Sequence, residues 1–276
     1  MNEGTRAFED AGIENAGIEN AASDARFLMS AVVNMSHADI LAHPERELSD
    51  EEEKLWLEYV SRRAKREPAA YITGKVEFMG LEFKVTDMTL IPGSDTETLV
   101  EEAMLHLHDG MRFLDLCTGT GCVAISLLRY SNDTHAVATD ISGDALSVAA
   151  ENAGKLGVSD RISLTETDLY PDVTKFDLIV SNPPYIPAGD IPGLMPEVSE
   201  YEPVIALDGG EDGLAFYRRI AEGAGDFLYS GGWLLCEIGY DQAEKAAAIF
   251  EAAGFKDISV VKDLGGLDRV VKGCFY

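Results

Sequence analysis

The sequence has few basic residues for its length. Lys and Arg number 22 among 276 residues, against 49 Asp and Glu, so the formal net charge is −27. Affinity for nucleic acids rests largely on Lys and Arg that neutralise phosphates, so this balance argues against a long groove that follows a phosphate backbone. We interpret the acidic surface as a source of solubility, and an acidic face for a basic partner is the alternative.

Long apolar runs and paired cysteines are also missing. No apolar stretch approaches the roughly 20 residues that span a bilayer. The start, Met1-Asn2-Glu3-Gly4, lacks the basic segment and apolar core of a signal peptide. The four cysteines have no CxxC spacing, and in a chain of this size we expect them to be reduced and buried. These absences predict a cytoplasmic protein without a metal site or a membrane segment.

Length and helical patterning predict two domains. A chain of 276 residues fits about two domains of roughly 150 residues each. Apolar residues at helical spacing follow Asp24, and Ser49 with Glu52 forms a capping-box pattern before a second helix. The repeat of Ala-Gly-Ile-Glu-Asn over 11–20 is helix-compatible and too short for a repeat architecture. The predicted division is a small helical domain over 1–73, a β-hairpin linker over 74–89 and a larger domain over 90–276.

Strands and helices alternate after residue 112, which is typical of a parallel sheet with helices on both faces. Seven strands are predicted, and a short Gly-Gly turn indicates that the last two are antiparallel. Their predicted bounds are 113–117, 135–140, 162–168, 176–182, 232–238, 258–262 and 269–275. The fold class is therefore α/β, with a seven-stranded Rossmann-like sheet.

The most unusual stretch follows the fourth predicted strand and reads Ser181-Asn182-Pro183-Pro184-Tyr185. Two successive prolines cannot donate hydrogen bonds to a sheet, so the strand ends there. Asn182 then lies at the carboxyl end of a strand, where open α/β sheets bind ligands. Its side-chain oxygen and a nearby backbone carbonyl can both accept hydrogen bonds from one NH2 group. Tyr185 can stack on the planar group that carries this NH2.

This arrangement suits the transfer of an electrophile to an amide or aromatic amine nitrogen. The lone pair of such a nitrogen is delocalised, and two rigid acceptors would hold the nitrogen in line and favour a pyramidal transition state. A plain Pro-rich turn, in which Asn182 hydrogen-bonds its own backbone, is the competing interpretation. These residues alone leave both interpretations open. The sequence upstream of them favours the transfer of an electrophile over a plain turn. The Pro-rich stretch 186–203 is predicted to be a loop near the site.

A glycine-rich turn, Thr118-Gly119-Thr120-Gly121, connects the first strand of the sheet to its first helix. Gly-x-Gly alone is a weak signal, but Asp140 ends the next strand about 20 residues on, where it can bind ribose hydroxyls. Asp168 and Leu169 end the third strand, where they can meet an adenine edge. Asp115 would repel a pyrophosphate and suits a cationic or amine-bearing ligand. S-adenosylmethionine fits all three strand ends.

Further segments on both sides of the Asn-Pro-Pro-Tyr tetrad have a recognisable pattern. They are Glu67-Pro68, Tyr71 to Gly74, Phe78 to Val85, Leu90 to Pro92, Asp95-Thr96-Glu97, Asp115 to Gly121, Asp140, Tyr201-Glu202-Pro203, Ala206 to Gly210, Asp212-Gly213-Leu214, Glu237-Ile238-Gly239 and Asp268-Arg269. With the tetrad, they resemble the PrmC/HemK family of peptide chain release factor glutamine N5-methyltransferases. The resemblance runs from about residue 23 to the C-terminus, and the flanking segments are more specific than the tetrad.

The resemblance implies a class I methyltransferase domain that methylates the glutamine of the Gly-Gly-Gln motif in class-1 release factors. It implies a cofactor site made of Cys117, Thr118, Gly119, Thr120, Gly121, Asp140, Leu169 and Asn182. It implies that Asn182, Pro183, Pro184 and Tyr185 bind the substrate glutamine, with catalytic roles for Asn182, Pro183 and Tyr185. Residues 1–73 would recognise the substrate. Two positions depart from the family pattern, because Gly93 replaces a usual arginine and Cys117 replaces a common glycine.

Two other functions are weighed against this one. An adenine-N6 methyltransferase acting on DNA or RNA would use the same tetrad on a flipped base, but the acidic balance and the lack of a basic recognition domain count against it. A cofactor-binding protein without activity is the other alternative, and the intact tetrad disfavours it. We expect a monomer whose partner is a release factor, with no direct nucleic-acid or membrane partner.

Overall fold

The computed structural model describes residues 2–13, 21–43, 45–172 and 175–276. Most of the repeat predicted to be helix-compatible, residues 14–20, lies outside the described residues. The chain divides into two compact units, the first made of Met1–Lys75 and Gly193–Tyr201 and the second of Val76–Pro192 and Glu202–Tyr276. The domain boundaries expected at 73/74 and 89/90 stay predictions. Across the described ranges, no helix combines the length and apolar content needed to cross a membrane.

The first unit is built from helices. Its longer elements are α1 (Asn2–Asp10), α2 (Ala21–Val33), α3 (His37–Ala42), α4 (Asp50–Arg63) and α5 (Ala69–Thr73). Ser49 caps α4 through the predicted capping box, because its hydroxyl accepts from Glu52 N–H while the Glu52 carboxylate accepts from Ser49 N–H. Phe8, Leu28 and Trp56 are buried in the core between these helices.

Arg63 organises a buried ionic cluster in the first unit. Its side chain is fully buried, and its Nε donates to Asp24 Oδ2 at 2.7 Å. A second guanidinium nitrogen donates to Glu197 Oε1 at 2.9 Å, and Arg66 donates to Glu197 Oε2 at 2.6 Å. Because two acids surround it, Arg63 keeps its charge despite burial. Glu197 thereby ties the segment Gly193–Tyr201 to this unit.

The stretch 186–203 differs from the predicted loop. It contains a 3₁₀ turn, Ile191–Gly193, and a short helix, Pro196–Ser199. The ion pairs of Glu197 with two arginines more than 130 residues away in sequence explain why no local pattern reveals this arrangement. Part of the stretch therefore belongs to the helical unit.

The predicted hairpin is confirmed as β1 (Lys75–Phe78) and β2 (Leu81–Lys84). Met79 and Gly80 form its turn with φ of 51° and 67°. Both values lie in the left-handed region that the two central residues of a type I′ hairpin turn require. The alternation of apolar and polar residues around this turn is what made the hairpin predictable.

The second unit is a seven-stranded sheet in the order β5-β4-β3-β6-β7-β9-β8. The strands are β3 (Arg112–Leu116), β4 (His135–Asp140), β5 (Ile162–Glu166), β6 (Phe176–Ser181), β7 (Leu228–Glu237), β8 (Lys256–Lys262) and β9 (Asp268–Phe275). β3 to β7 pair in parallel, whereas β9 is antiparallel to both β7 and β8. The fold class, the seven strands and the antiparallel pair are thus confirmed.

Helices cover both faces of this sheet. They are α6 (Ser94–Met104), α7 (Cys122–Tyr130), α8 (Gly143–Lys155), α9 (Ala215–Phe227) and α10 (Ala243–Ala252). Successive strand residues alternate between two cores: Phe113 packs with α6 and α7, whereas Leu114 packs with α9 and α10. Because the central strands are buried on both faces, their sequences are nearly continuous apolar runs.

The cysteines are free thiols. Cys122, Cys236 and Cys274 are buried as predicted, and Cys117 is only partly buried. Cys117 differs because it lies in the turn that leaves β3 rather than inside an element. That turn forms part of the candidate site.

Candidate active site

The candidate site lies where the strand order of the sheet reverses. From β3 the chain continues to β4 and β5 on one side, and then to β6 and β7 on the other. In open α/β sheets, ligands bind in the crevice outside the carboxyl ends of the strands at such a reversal. The turn after β3 and the tetrad after β6 meet there, and Thr118 and Asn182 line one cleft, whose empty volume is about 1120 Å³ when the open solvent at its mouth is included.

The glycine-rich turn depends on left-handed backbone geometry. Cys117, Gly119 and Gly121 have φ of 59°, 54° and 78°. At Gly121 a Cβ would lie 3.2 Å from Ala149 Cβ on α8, which is a tight contact, and the positive φ would strain any other residue, so both features favour glycine. Cys117 adopts a left-handed conformation that favours glycine, so its side chain strains the turn at this position.

Asp115 holds the same turn from inside the sheet. Its Oδ2 accepts hydrogen bonds from Thr118 Oγ1 at 2.6 Å and from Ala124 N–H at 3.2 Å. Burial raises its pKa to about 7, and these two hydrogen bonds oppose the rise. The carboxylate that the sequence suggested as a partner for a cationic ligand therefore also shapes the turn that would surround this ligand.

Asp140 faces the cleft at the end of β4. Its Oδ2 accepts from Gly119 N–H and its Oδ1 from Ser142 N–H, each at 2.9 Å. Each oxygen keeps further lone-pair capacity, so a diol can still donate to it. Leu169 follows the next strand, β5, and has a φ of 72°. Its carbonyl accepts a hydrogen bond from Thr139 Oγ1 at 2.7 Å. The two strand ends thus combine a polar wall with an apolar surface.

Phe216 and Arg219, both on α9, add lining that the sequence analysis did not identify. The Arg219 guanidinium lies 5.6 Å from the centre of the Phe216 ring. Arg219 also pairs with Asp168 at 2.7 Å. Among the described residues that line the cleft, Arg219 is the one basic side chain, and it is paired with an acid. Asp115 and Asp140 leave the surroundings acidic. This charge suits a cationic sulfonium or amine and opposes a pyrophosphate.

Asn182 joins the tetrad to this cleft. Ser181 Oγ donates to the Leu116 carbonyl at 2.8 Å, which anchors the end of β6 to β3. The Asn182 side chain is partly buried, and its Nδ2 donates to Thr96 Oγ1 at 3.0 Å. The side-chain nitrogen of Asn182 therefore points to α6. The side-chain oxygen takes no part in that hydrogen bond.

Tyr185 is held by contacts on three sides. Its hydroxyl donates to Glu237 Oε1 at 3.4 Å, and its backbone carbonyl accepts from Gln242 Nε2 at 2.9 Å. Gly209 packs against its backbone, where a Cβ would lie 2.7 Å from Tyr185 Cα. Burial raises the pKa of the Tyr185 hydroxyl, so it stays protonated at neutral pH.

The structure brings most of the predicted site residues together. The cleft is lined by Cys117, Thr118, Gly119, Thr120, Asp140, Leu169, Asn182 and Pro184. Within the described chain, Gly121, Pro183 and Tyr185 are not among the lining residues. The roles assigned to all of these residues stay predictions.

Two further residues at the site were missed. Thr96 contacts Asn182, and Glu237 contacts Tyr185. The sequence signals were present, since Asp95-Thr96-Glu97 and Glu237-Ile238-Gly239 belong to the segments that carry the family resemblance. No role followed from them because their partners in the tetrad are distant in sequence.

The comparisons with protein families cover both units. The family model described as "PrmC N-terminal domain" matches residues 1–74, and the one described as "Methyltransferase small domain" matches residues 94–191. A protein of Geobacter sulfurreducens named "Release factor glutamine methyltransferase" is 43% identical over 255 residues, covering 92% of this chain and 89% of the relative. A protein of the same name from Cereibacter sphaeroides is 44% identical over 252 residues, covering 91% of this chain and 90% of the relative.

A solved structure supports the fold. A methyltransferase from Pyrococcus furiosus superimposes with a TM-score of 0.53 at 17% identity, covering 71% of this chain and 90% of the other. At this level of identity the likeness concerns the architecture of the sheet and its helices.

Proposed function

We propose that this chain, which belongs to the family of release factor glutamine methyltransferases, methylates the side-chain amide nitrogen of the Gly-Gly-Gln glutamine in class-1 peptide chain release factors. The observation that carries the proposal is the placement of Asn182. It lines the cleft beside the glycine-rich turn, with its amide nitrogen directed to Thr96. Its carboxamide oxygen is then the acceptor available to a substrate NH2 group.

S-adenosylmethionine is the methyl donor in this proposal. Its sulfonium supplies an electrophilic methyl group when it is bound. Residues 117–121 would surround the methionine part, Asp140 would accept the ribose hydroxyls, and Leu169 would contact the adenine region. The acidic cleft supports this assignment, because the ligand carries a positive sulfonium and an amino group and has no phosphate.

The tetrad would orient the glutamine nitrogen. Asn182 Oδ1 and the Pro183 carbonyl would accept one hydrogen bond each from the NH2 group, which places its lone pair in line with the methyl carbon. Held in this way by Asn182 and Pro183, the nitrogen would form its new bond to the methyl carbon of the bound donor while the carbon–sulfur bond of the donor breaks. Methylation makes the nitrogen strongly acidic, so water accepts the proton and no dedicated base is required.

The helical unit is the proposed recognition surface for the release factor. The match of residues 1–74 to a domain description specific to this family supports that role. We place the reaction in the cytoplasm and assign the active form as a monomer without a nucleic-acid partner. A test is hydrogen exchange of the full chain with and without release factor. Slower exchange in α2 to α4 is expected, whereas unchanged exchange in those helices during active methyl transfer would exclude the role.

The reaction is tested with labelled S-adenosylmethionine and a purified release factor. Wild-type protein is compared with Asn182→Ala, with Asn132→Ala as a matched exposed control, and with a release factor whose Gly-Gly-Gln glutamine is replaced. We expect label on the intact release factor with wild type and Asn132→Ala, and none in the other two reactions. Label on duplex DNA or RNA in parallel reactions, with none on release factor, would favour the nucleic-acid alternative instead.

A further inference from the structure

Gln242 is a buried polar residue that takes no part in the proposed chemistry. It immediately precedes α10, and it is not among the described residues that line the cleft. Its side-chain Nε2 donates to the backbone carbonyl of Tyr185 at 2.9 Å and to that of Gly213 at 3.3 Å. A side chain outside the cleft therefore holds the last residue of the tetrad by its backbone.

Backbone groups fix the orientation of the Gln242 carboxamide. Its Oε1 accepts from Gly239 N–H at 2.9 Å and from the Tyr217 hydroxyl at 3.0 Å. A backbone N–H can only donate, and the carbonyls of Tyr185 and Gly213 can only accept. In a flipped carboxamide, the NH2 group would face the N–H and the oxygen would face both carbonyls. The side chain is therefore held with its two donors on the tetrad side.

Two glycines leave the room that this carboxamide occupies. At Gly213, which has a φ of 72°, a Cβ would overlap the Tyr185 carbonyl oxygen and lie 2.7 Å from Gln242 Nε2. At Gly239, a Cβ would lie 3.0 Å from Gln242 Oε1. The close approach of these three segments around one buried amide therefore depends on residues without side chains.

The tetrad is anchored at both of its ends. At the first end, Ser181 Oγ donates to the Leu116 carbonyl at 2.8 Å, and at the other end Gln242 holds Tyr185. The two prolines between these anchors have a fixed φ and no N–H group, so they offer no backbone donor that could hold them in place. The position of this stiff segment, which includes the Pro183 carbonyl, therefore depends on its two ends.

We infer that Gln242 is a positioning residue that holds the Tyr185 end of the tetrad and thereby fixes the Pro183 carbonyl, one of the two proposed acceptors for the substrate NH2 group. The inference deepens the proposed function and rests on it for its catalytic consequence. Without the Gln242 amide, the Tyr185 carbonyl loses this donor, and the stiff segment is held at one end only. A misplacement of about 1 Å at a reacting centre can cost about a hundredfold in rate. The effect is therefore expected on kcat.

The anchoring is measured first by NMR, without cofactor or substrate. A protein that carries ¹³C at its tyrosine carbonyls and ¹⁵N in its isoleucines shows a carbonyl–amide correlation only where isoleucine follows tyrosine. The sequence has two such pairs, Tyr71-Ile72 and Tyr185-Ile186. The peak of the first pair is identified by its loss in Tyr71→Phe, so the remaining peak reports the Tyr185 carbonyl.

Gln242→Met is the variant for this measurement, because methionine has a similar length and no hydrogen-bond donor. A carbonyl carbon resonates further downfield when its oxygen accepts a hydrogen bond. We expect the Tyr185 carbonyl peak to move upfield in Gln242→Met, while the Tyr71 peak keeps its position. A Tyr185 peak that stays in place would overturn the inference.

Kinetics then test the consequence for methyl transfer. We expect Gln242→Met to lower kcat about tenfold or more, while KM for the release factor and the affinity for S-adenosylmethionine change less than about twofold. Glu244→Gln, on the exposed side of α10, should behave as wild type. Phe250→Leu, which alters the buried core on the same helix, should lower the melting temperature and leave kcat within about twofold of wild type. A general loss of stability is thereby separated from a loss of position.

Gly213→Ala tests the same anchor without changing Gln242. The matched control is Gly157→Ala, because Gly157 has a similar φ of 68° and a Cβ there meets nothing within 4 Å. Both variants carry the same backbone strain, and only Gly213→Ala pushes against the Tyr185 carbonyl. We expect kcat to fall in Gly213→Ala and to stay near that of wild type in Gly157→Ala.

The outcomes separate the two proposals. Wild type that methylates the release factor, with Gln242→Met within about twofold of it in kcat, would overturn the positioning role. Wild type without any transfer to the release factor would remove the proposed function, and the Tyr185 carbonyl peak would still decide whether Gln242 anchors the tetrad. If Gln242→Met does not fold, the pair of glycine variants decides, and equal kcat in Gly213→Ala and Gly157→Ala would overturn the inference.

Discussion

The backbone of Gly209 lies so close to the backbone of Tyr185 that a Cβ at residue 209 would be 2.7 Å from Tyr185 Cα and 2.8 Å from its carbonyl carbon. The two segments are also joined by hydrogen bonds from Ile186 N–H to Leu207 O at 3.0 Å and from Gly209 N–H to Ile186 O at 2.8 Å. The tetrad is thus held from its carboxyl side by a second loop, and only a residue without a side chain fits at 209.

We therefore expect Gly209→Ala to displace Tyr185 and to lower the rate of methyl transfer about tenfold or more, since small misplacements at a reacting centre are costly. S-adenosylmethionine affinity should be nearly unchanged, because Gly209 does not line the cleft. Transfer assays and equilibrium binding separate the two effects. Gly189→Ala is the matched control, since a Cβ there meets nothing within 4 Å. Equal activity of both variants would contradict the expectation.

Asp140→Asn should weaken S-adenosylmethionine binding about tenfold to a hundredfold. The carboxylate accepts from Gly119 N–H and Ser142 N–H, and it is the proposed acceptor for the ribose hydroxyls. Hydrogen bonds to a charged acceptor contribute about 1.5–3 kcal/mol, and the amide loses the charge and one acceptor. Calorimetry measures the change. Asp144→Asn on α8, which is exposed, should bind normally; equal affinities of the two variants would rule out the ribose role.

Glu237→Gln should stabilise the second unit at high pH. Folding raises the pKa of Glu237 from 4.5 to about 7. The folded state then holds its proton more tightly, and the stability of the wild type falls as pH rises from 4.5 to about 7. Glutamine lacks this penalty, which has an upper bound of about 3 kcal/mol at 1.36 kcal/mol per pKa unit.

Thermal unfolding at pH 5.5 and pH 8.5 measures this difference. The melting temperature of Glu237→Gln minus that of wild type should be larger at pH 8.5. The comparison of two variants removes the pH dependence caused by the other acids of this strongly negative chain. A difference that stays constant, or shrinks, with rising pH would show that Glu237 does not titrate in this range. Greater stability with lower activity would be a typical trade-off at a functional site.

Glu197→Gln should destabilise the first unit. The change leaves the buried Arg63 and the partly buried Arg66 without one of their acidic partners. Breaking a buried ion pair from one side typically costs about 3–5 kcal/mol. Hydrogen exchange of α2 and α4 should accelerate, and exchange of the sheet in the second unit should not change. The exposed Glu200→Gln, three residues away, is the control and should behave as wild type.

The fold was largely predictable because its signals are local. The central strands are apolar runs buried on both faces, and their separation by helical patterns indicates parallel crossovers. The capping-box pattern of Ser49 and Glu52, which spans only four residues, predicts the start of α4. The alternation of apolar and polar residues around Met79-Gly80 predicts the hairpin. Leu169 and Cys117 show the limit of such signals, since their left-handed conformations do not follow from their residue types.

The sequence predicted the site residues that follow the ends of the strands. It did not predict the residues that contact them from other segments of the chain. Asp140 and Asn182 were found because they follow recognisable strands in an α/β order that defines where ligands bind. Thr96 and Glu237 were not, because hydrogen bonds join them to residues 86 and 52 positions away. Polar residues with such partners look like ordinary helix or strand residues in sequence.

The sequence by itself determined the α/β architecture, the strand ends that line the cleft and the position of the Asn-Pro-Pro-Tyr tetrad, because periodicity, turn residues and motif spacing act over short stretches of chain. Only the tertiary structure decided which acidic side chain contacts which partner side chain. It placed Glu197 on the buried Arg63, 134 residues away, and Glu237 behind the tetrad. Burying a charge is costly unless a partner is present, and such partners are supplied by whichever segments the packed fold brings together.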